Sequence, residues 1–249
     1  MKTFQSIDFG VSFLLQRNAN AILSADQNKH TIRTVLGKGR NADMRYYIAD
    51  THFFHRSLNE KMDQRGFEDI EQMNEYMIDQ WNSKVRKNDE VVVLGDFSWG
   101  NASQTTEILD ELKGKIYLIR GNHDRFLDDK NFDASRFVWI KDYAELNENK
   151  RKVVLSHYPI ACYNGQYRRD EDGNPKTFML HGHIHATQDQ QFLDAYQEYI
   201  HQQKHPRISD GQLEGVPCQL INCFCMYSDY VPMTLDEWIE IDKRRRNIL

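Results

Sequence analysis

The stretch RYYIADTHFFH, residues 45–55, decides the fold class because it joins a short apolar run to polar residues that can bind a metal. The run 45–49 is too short for a buried helix and rich in β-forming residues, so it predicts a buried strand. Similar runs at 90–94, 115–119, 152–155 and 177–180 also predict strands. Because longer helical patterns separate most of these strands, we expect an α/β fold.

Helical periodicity predicts four helices. Apolar residues three and four positions apart mark an amphipathic helix over 67–85, and a second helix is expected over 105–112 with Ser103 as its cap. A third is expected over 188–203, and residues 234–237 form a capping box that opens a last one. Four side chains of the third helix are predicted to face the core: Phe192, Leu193, Tyr196 and Ile200.

Each predicted strand ends at residues that can bind a metal or transfer a proton. In open α/β sheets, ligands bind beyond the carboxyl ends of the strands, so we expect these residues to converge. In an extended chain, residues two apart point the same way, which would let Asp50 and His52 approach one ion together, and likewise His183 with His185. The motif residues are Asp50, His52, Asp96, Asn122, His123, Asp124, His157, His183 and His185.

The donor types indicate a transition-metal centre. Carboxylate, amide and imidazole groups without a thiolate suit Mn, Fe, Zn, Co or Ni better than Ca or a structural zinc site. Seven of the nine motif residues, all except His123 and Asp124, are the candidate ligands. Seven ligands exceed what one ion needs, so two ions are implied. Two divalent ions against two carboxylates leave a positive site that attracts phosphate, and paired ions can clamp the oxygens of a displacement and acidify water. Hydrolysis of a phosphoester is the predicted chemistry.

The ordered series DTH (50–52), GD (95–96), GNHD (121–124), a lone His157 and GHIH (182–185) resembles the signature of the calcineurin-like metallophosphoesterase superfamily. Flanking sequences such as VVVLGDF and LIRGNHD are similar to a bacterial and phage branch of predicted phosphoesterases, and the resemblance covers roughly residues 45–238. It implies an α/β/β/α architecture, which is a two-sheet β-sandwich flanked by helices.

The resemblance also implies roles for the motif residues. It divides the ligands into Asp50, His52 and His185 for one ion, Asn122, His157 and His183 for the other, and Asp96 bridging the two. A hydroxide between the ions would attack phosphorus, His123 would protonate the leaving oxygen, and Asp124 would orient His123. Two divalent cations are implied as cofactors, with manganese favoured, and a small phosphomonoester or phosphodiester as substrate.

The chain is expected to form one domain over residues 1–249, with an N-terminal extension at 1–44 and a polar insertion at about 188–217. The connection 158–176 lies between two strands that carry ligands, so we expect it to overhang the ions and help select the substrate. Four arginines are candidate phosphate clamps, although acidic residues after the last two favour a solvated loop: Arg56, Arg125, Arg168 and Arg169.

Composition narrows the remaining choices. A chain of 249 residues with 40% hydrophobic and 28% charged residues is an ordinary globular mixture, and its four cysteines favour a reducing, cytoplasmic location. No apolar run approaches the roughly 18 residues of a membrane span. A net charge of −5 makes nucleic acid a disfavoured partner.

Two alternative functions stay open: an inactive scaffold of the same fold that binds protein partners, and a nuclease for single-stranded DNA or RNA. Oligomeric state is not indicated.

Overall fold

The fold is built on two four-stranded sheets. A computed structural model describes residues 43–207 and 210–247, so the predicted extension 1–44 lies, apart from its last two residues, outside the described part. The first sheet is parallel throughout, in the order β1 (Arg45–Ile48), β2 (Glu90–Leu94), β3 (Lys115–Ile119), β4 (Ile140–Lys141). The predicted strands at 45–49, 90–94 and 115–119 are therefore confirmed.

The second sheet uses later strands. These are β5 (Tyr143–Glu148), β6 (Arg151–Ser156), β7 (Thr177–His181) and, after the hairpin of β8 (Lys204–Pro206) and β9 (Leu213–Gly215), β10 (Leu220–Asn222). Their order is β10-β7-β6-β5, and only β5 runs antiparallel. β6 and β7 confirm the predicted strands at 152–155 and 177–180. The five predicted strands do not include β4, β5, β8, β9 or β10, whose identity depends on pairing with other segments.

Helices cover the outer faces. The α-helices are α1 (Ile70–Lys84), α2 (Ala102–Glu111), α3 (Gln188–Gln202) and α4 (Leu235–Arg245). Short 3₁₀ segments span Arg125–Asp128, Ala134–Arg136 and Cys225–Ser228, and a π turn spans Leu58–Met62. Within the described residues, no helix combines the length and the apolar character needed to cross a bilayer.

Alternate side chains of the first sheet enter two cores. On β1, Tyr46 and Ile48 pack with the apolar faces of α1 and α2, whereas Tyr47 packs with side chains of the second sheet such as Val153 and Leu180. This two-residue alternation is what a strand buried on both faces requires. A third cluster joins the outer face of the second sheet to α3. The layers are helix, sheet, sheet and helix, as the resemblance implied.

Two local predictions are wrong. The cap of α2 is Asn101 and not Ser103, because Asn101 and Gln104 form a reciprocal capping box at 3.0 Å each way. On α3, Phe192 is 61% exposed, and the buried positions include Gln190 and Gln197. Gln197 accepts the backbone N–H of Leu220 at 3.0 Å, so the helix turns an amide toward the edge strand β10 to satisfy it.

Candidate active site

The carboxyl ends of five strands bring the predicted ligands together. Two groups form at the ends of β1, β2, β6 and β7, and within each group the ligand atoms lie within 4.8 Å of one another. Asn122, from the end of β3, joins the second group because its Oδ1 lies 3.0 Å from Nε2 of His157. The groups are Asp50, His52 and His185 in the first, and Asp96, His157 and His183 in the second.

The backbone at these residues is left-handed, not extended. Five ligands have positive φ angles: Asp50 (56°), His52 (48°), Asp96 (54°), His183 (71°) and His185 (48°). The strand alternation expected for the Asp-x-His and His-x-His pairs is therefore wrong as the geometric reason for their convergence. Non-glycine residues adopt this conformation at a cost, and such strain is concentrated at functional sites.

The two histidines of the last motif diverge. His185 lies with Asp50 and His52, whereas His183 lies with Asp96 and His157. The spacing argument that both could approach one ion is wrong, and the division implied by the family resemblance describes the arrangement. His183 also supports the first group, because its backbone N–H donates to Oδ1 of Asp50 at 2.9 Å.

Glycines let the strand ends approach closely. A Cβ placed on Gly121 would overlap the carboxylate of Asp96, and one on Gly182 would lie 2.7 Å from Oδ2 of Asp50. At either glycine, a side chain would therefore displace the carboxylate of a predicted ligand. The glycines of the GNHD and GHIH motifs thus have a steric reason to precede ligands.

His157 is oriented by a hydrogen bond from its Nδ1 atom. Its Nδ1 lies 2.9 Å from the carbonyl oxygen of Leu94, which fixes Nδ1 as the protonated donor and leaves Nε2 facing Asp96 at 3.5 Å. Burial alone would lower the pKa of His157, but contact with Asp96 and attraction to Asp50 outweigh it and raise the pKa to about 9. For Asp96, burial opposes the same contact, and its pKa is held below the usual value.

Asp63 and Arg65 support the first group, and no sequence motif pointed to either residue. Oδ1 of Asp63 accepts from Nδ1 of His185 at 2.8 Å, which turns Nε2 of that histidine toward Asp50. The fully buried side chain of Arg65 pairs with Asp63 at 3.1 Å and donates to the carbonyl oxygens of Asp50 and Thr51. A carboxylate behind a ligating histidine is a common feature of metal sites.

His52 is the least satisfied side chain of the first group. It is buried, and neither ring nitrogen has a hydrogen-bond partner among the residues that the structure describes. Its Nε2 lies 3.4 Å from Oδ2 of Asp96 without hydrogen-bond geometry. Burial lowers the pKa of His52 well below its usual value, so the imidazole is neutral and free to donate a lone pair. Burial raises the pKa of Asp50 to about 6.

His123 and Asp124 are separated in role. The ring of His123 is half-buried beside His52, at 5.6 Å between centroids, and its backbone N–H donates to Oδ1 of Asp96. The Asp124 carboxylate instead accepts three backbone N–H groups, from Asp96, Phe97 and Gly121. Since Nδ1 of His123 has no partner among the described residues, the expectation that Asp124 orients this ring is wrong. Asp124 ties the ends of β2 and β3 together.

Comparison with known proteins identifies the family. The model of the family described as calcineurin-like phosphoesterase matches residues 46–228. The chain belongs to this family. It is 36% identical over 153 residues to an uncharacterized protein of Methanocaldococcus jannaschii, covering 61% of this chain and 72% of that protein. It is 29% identical over 165 residues to the gene 66 protein of Mycobacterium phage D29, covering 57% of this chain and 78% of that protein.

A solved structure supports the fold of this family member. The crystal structure of a protein of unknown function from Aquifex aeolicus aligns with a TM-score of 0.53 and 22% identity, over 80% of this chain and all of that one. The family match confirms the resemblance drawn from the motifs, and the archaeal and phage relatives are consistent with the suggested branch. Members of the family typically bind divalent metals, and this chain presents two candidate groups for them.

The connection 158–176 borders the site at its beginning and contacts the β8–β9 hairpin in its later half. The ring of Tyr158 lies 4.5 Å from that of His183, but Arg169 pairs with Glu214 and donates to the carbonyl oxygen of Gly215. Because β6 and β7 are parallel, their connection must return from the carboxyl end of one to the amino end of the other. Its later part therefore lies away from the site, and the expectation that the connection overhangs the ions is restricted to the part that begins at Tyr158.

The site is distinct from a cavity of about 1030 Å³ that the returning connection helps to line. That cavity is bordered by side chains of both charge signs, including Arg151, Lys176, Asp170 and Asp242, and by none of the predicted ligands. Arg169 therefore lies away from the predicted ligands, and it is half-buried against Glu214 and Gly215 and not solvated. Arg125, in contrast, lies next to the site, with its guanidinium 5.9 Å from the ring centre of Trp99.

Proposed function

We propose that this protein hydrolyses a small phosphomonoester or phosphodiester with two divalent cations held at the two ligand groups. The arrangement of His52 carries the proposal. A buried imidazole with two unpaired nitrogens costs about 1–3 kcal/mol in an ordinary interior. Here Asp50 and His185 belong to the same group of donors, so a cation bound between the three would supply the missing partner.

The donor distances fit metal binding. Ligands about 2.1 Å from a tetrahedral ion lie about 3.4 Å from one another. Oδ2 of Asp96 is 3.4 Å from Nε2 of His52 and 3.5 Å from Nε2 of His157, which suits a carboxylate shared by both ions. The full assignment is Asp50, His52 and His185 for one ion, Asn122, His157 and His183 for the other, and Asp96 for both.

The chemistry divides between the cations and the chain. Bound divalent cations would neutralise phosphate charge and lower the pKa of water, and Mn, Fe, Zn, Co or Ni suits this donor set, with Mn favoured. The chain holds the donors through Leu94 and Asp63, which orient two of the imidazoles. His123 is half-buried beside His52, and we infer that its ring delivers a proton to the leaving oxygen. Asp124 keeps His123 in place only through the backbone turn.

The test measures bound metal and turnover separately. Wild-type protein loaded with manganese is assayed on an aryl phosphate and a bis-aryl phosphate, and bound metal is counted by mass spectrometry. We expect Asp96→Asn to lose most of its metal and nearly all turnover. We expect His123→Gln to keep two ions but react about 10²- to 10⁴-fold more slowly. His205→Gln, on the β8–β9 hairpin, is the matched control and should change neither value.

Three outcomes would contradict the proposal. Protein that carries two ions but hydrolyses none of these esters would favour the inactive scaffold. Retention of both ions by Asp96→Asn would remove the shared carboxylate from the assignment. Hydrolysis confined to single-stranded DNA or RNA, and declining steeply with added salt, would favour the nuclease instead.

A further inference from the structure

An exposed tryptophan stands beside the proposed acid. Trp99 is 44% exposed, although large apolar side chains of this chain are mostly buried. Its ring centroid lies 4.8 Å from that of His123 and 4.1 Å from that of His55. The indole therefore borders the site on the side where His123 would meet the leaving group, and part of it stays open to solvent.

The indole is held on a well-braced loop. The backbone N–H of Trp99 donates to the carbonyl oxygen of Phe53 at 2.8 Å, next to the bridge between Phe53 and Ser98. Ser98 Oγ accepts from Gly100 at 3.1 Å and from Thr105 at 2.9 Å. A large exposed aromatic ring on a fixed backbone is poorly explained by core packing. It is well suited to stack on a planar group, because little conformational freedom is lost on contact.

Position distinguishes Trp99 from the other aromatic ring at the rim. Tyr158 is also exposed, but it contacts His157 and His183, which belong to the second ligand group. Of these two exposed rings, Trp99 is the one that adjoins His123. Arg125 lies over the indole at 5.9 Å, and no ion pair is found for its side chain within the described residues. An aromatic surface with a nearby cation matches the way proteins bind nucleobases next to phosphate.

We propose that Trp99 is a stacking subsite for a planar ring carried by the leaving alcohol, which makes nucleoside phosphate esters the favoured substrate class. The inference rests on the proposed function, because it takes the leaving oxygen to lie at His123. A ring on this side would stack on the indole while the phosphate lies over the ligand groups. Trp99 is thus a specificity-determining residue, and its loss should weaken recognition of the base and spare the chemistry.

The experiment compares substrates that differ only in the base. Adenosine 5′-phosphate and ribose 5-phosphate have the same leaving oxygen, and their methyl diesters cover the other ester class. Wild-type enzyme should show the higher kcat/KM on the adenosine ester. In Trp99→Ala, that value should fall roughly 10- to 100-fold, mainly through KM, while the ribose ester changes less than about threefold. Trp99→Phe should retain most of the preference, and Phe192→Ala, an exposed aromatic on α3, serves as the control.

Binding of a non-hydrolysable methylene phosphonate analogue of adenosine 5′-phosphate supplies a readout that does not need turnover. Weaker binding to Trp99→Ala, by a similar factor, supports the subsite. Equal loss on both esters would overturn the inference, since Trp99 would then act only by positioning His123. Equal wild-type rates on both esters would also overturn it. Failure of the wild type to hydrolyse any of the four esters would count against the proposed function, while the binding measurement would still decide the subsite.

Discussion

Substitution of Arg65 by methionine tests whether the buried ion pair behind the first ligand group holds this part of the fold. The side chain of Arg65 has no exposed surface, and its guanidinium contacts three acceptor groups. It donates to the carbonyl oxygens of Thr51 at 2.6 Å and Asp50 at 3.0 Å, and it pairs with Asp63 at 3.1 Å. Methionine keeps most of the volume, so the change removes the charge and the donors and leaves little cavity.

The expected loss is large because three acceptors are left without their donor. Removing one partner of a buried ion pair costs about 3–5 kcal/mol. His185 still donates to Oδ1 of Asp63, but Oδ2 loses the guanidinium that pairs with it. For a chain of this size, about 2–4 °C of melting temperature is lost per kcal/mol. We therefore expect Arg65→Met to melt roughly 6–20 °C below the wild type. The carboxylate of Asp63 carries most of this cost, because it is 7% exposed.

The assays are thermal melting, which gives the melting temperature, and urea unfolding, which gives the free energy of unfolding. Both are followed by circular dichroism on metal-free protein, so that cation binding does not add to the stability. Arg120→Met is the control, because Arg120 forms an exposed pair with Asp128 and its loss should cost less than about 1 kcal/mol. The double variant Asp63→Asn with Arg65→Met should recover part of the stability lost in Arg65→Met. A loss below 1 kcal/mol for Arg65→Met would refute the reasoning.

Three further predictions concern the site and the thiols. Saturation with manganese at 100 times its dissociation constant should stabilise the fold by about 2.7 kcal/mol per ion, and calorimetry should find this gain absent in Asp96→Asn. Gly121→Ala should lower metal affinity at least tenfold in a chelator competition, because its Cβ overlaps Asp96; unchanged affinity would contradict the close approach. Burial raises the pKa of Cys225 to about 12, so at pH 8 its thiol stays protonated and unreactive. With Ellman's reagent, we expect one fast-reacting thiol per native chain, that of the exposed Cys162. In guanidinium, where the chain is unfolded, all four thiols should react.

Much of the fold could be predicted because its strands carry local signals. β1, β2, β3, β6 and β7 are short runs of β-forming residues, and each stands directly before its motif. The capping box predicted at Thr234 is confirmed at the start of α4. It could be detected in the sequence because its partner Glu237 is only three residues away. Signals of this kind lie within a few residues, so a linear pattern is enough to detect them.

Other features required distant segments to be placed together. β5 has a mixed polar pattern and forms a strand because β6 pairs with it. Phe192 is exposed because α3 presents amides to an edge strand, whose unpaired donors cannot be known before the sheet is assembled. The return path of the connection after Tyr158 follows from the parallel pairing of β6 with β7, which the run lengths do not reveal.

The site divides in the same way. The nine motif residues could be selected from the sequence by residue type and order alone, because each lies within a few positions of the strand that precedes it. Only the tertiary structure decided that Asp63 supports His185 across 122 residues, that left-handed backbone turns the ligands inward, and that Asp124 binds backbone N–H groups and leaves His123 free. The physical reason is that donor chemistry belongs to a residue by itself, whereas orientation and partnership depend on which distant segments packing brings within hydrogen-bond distance.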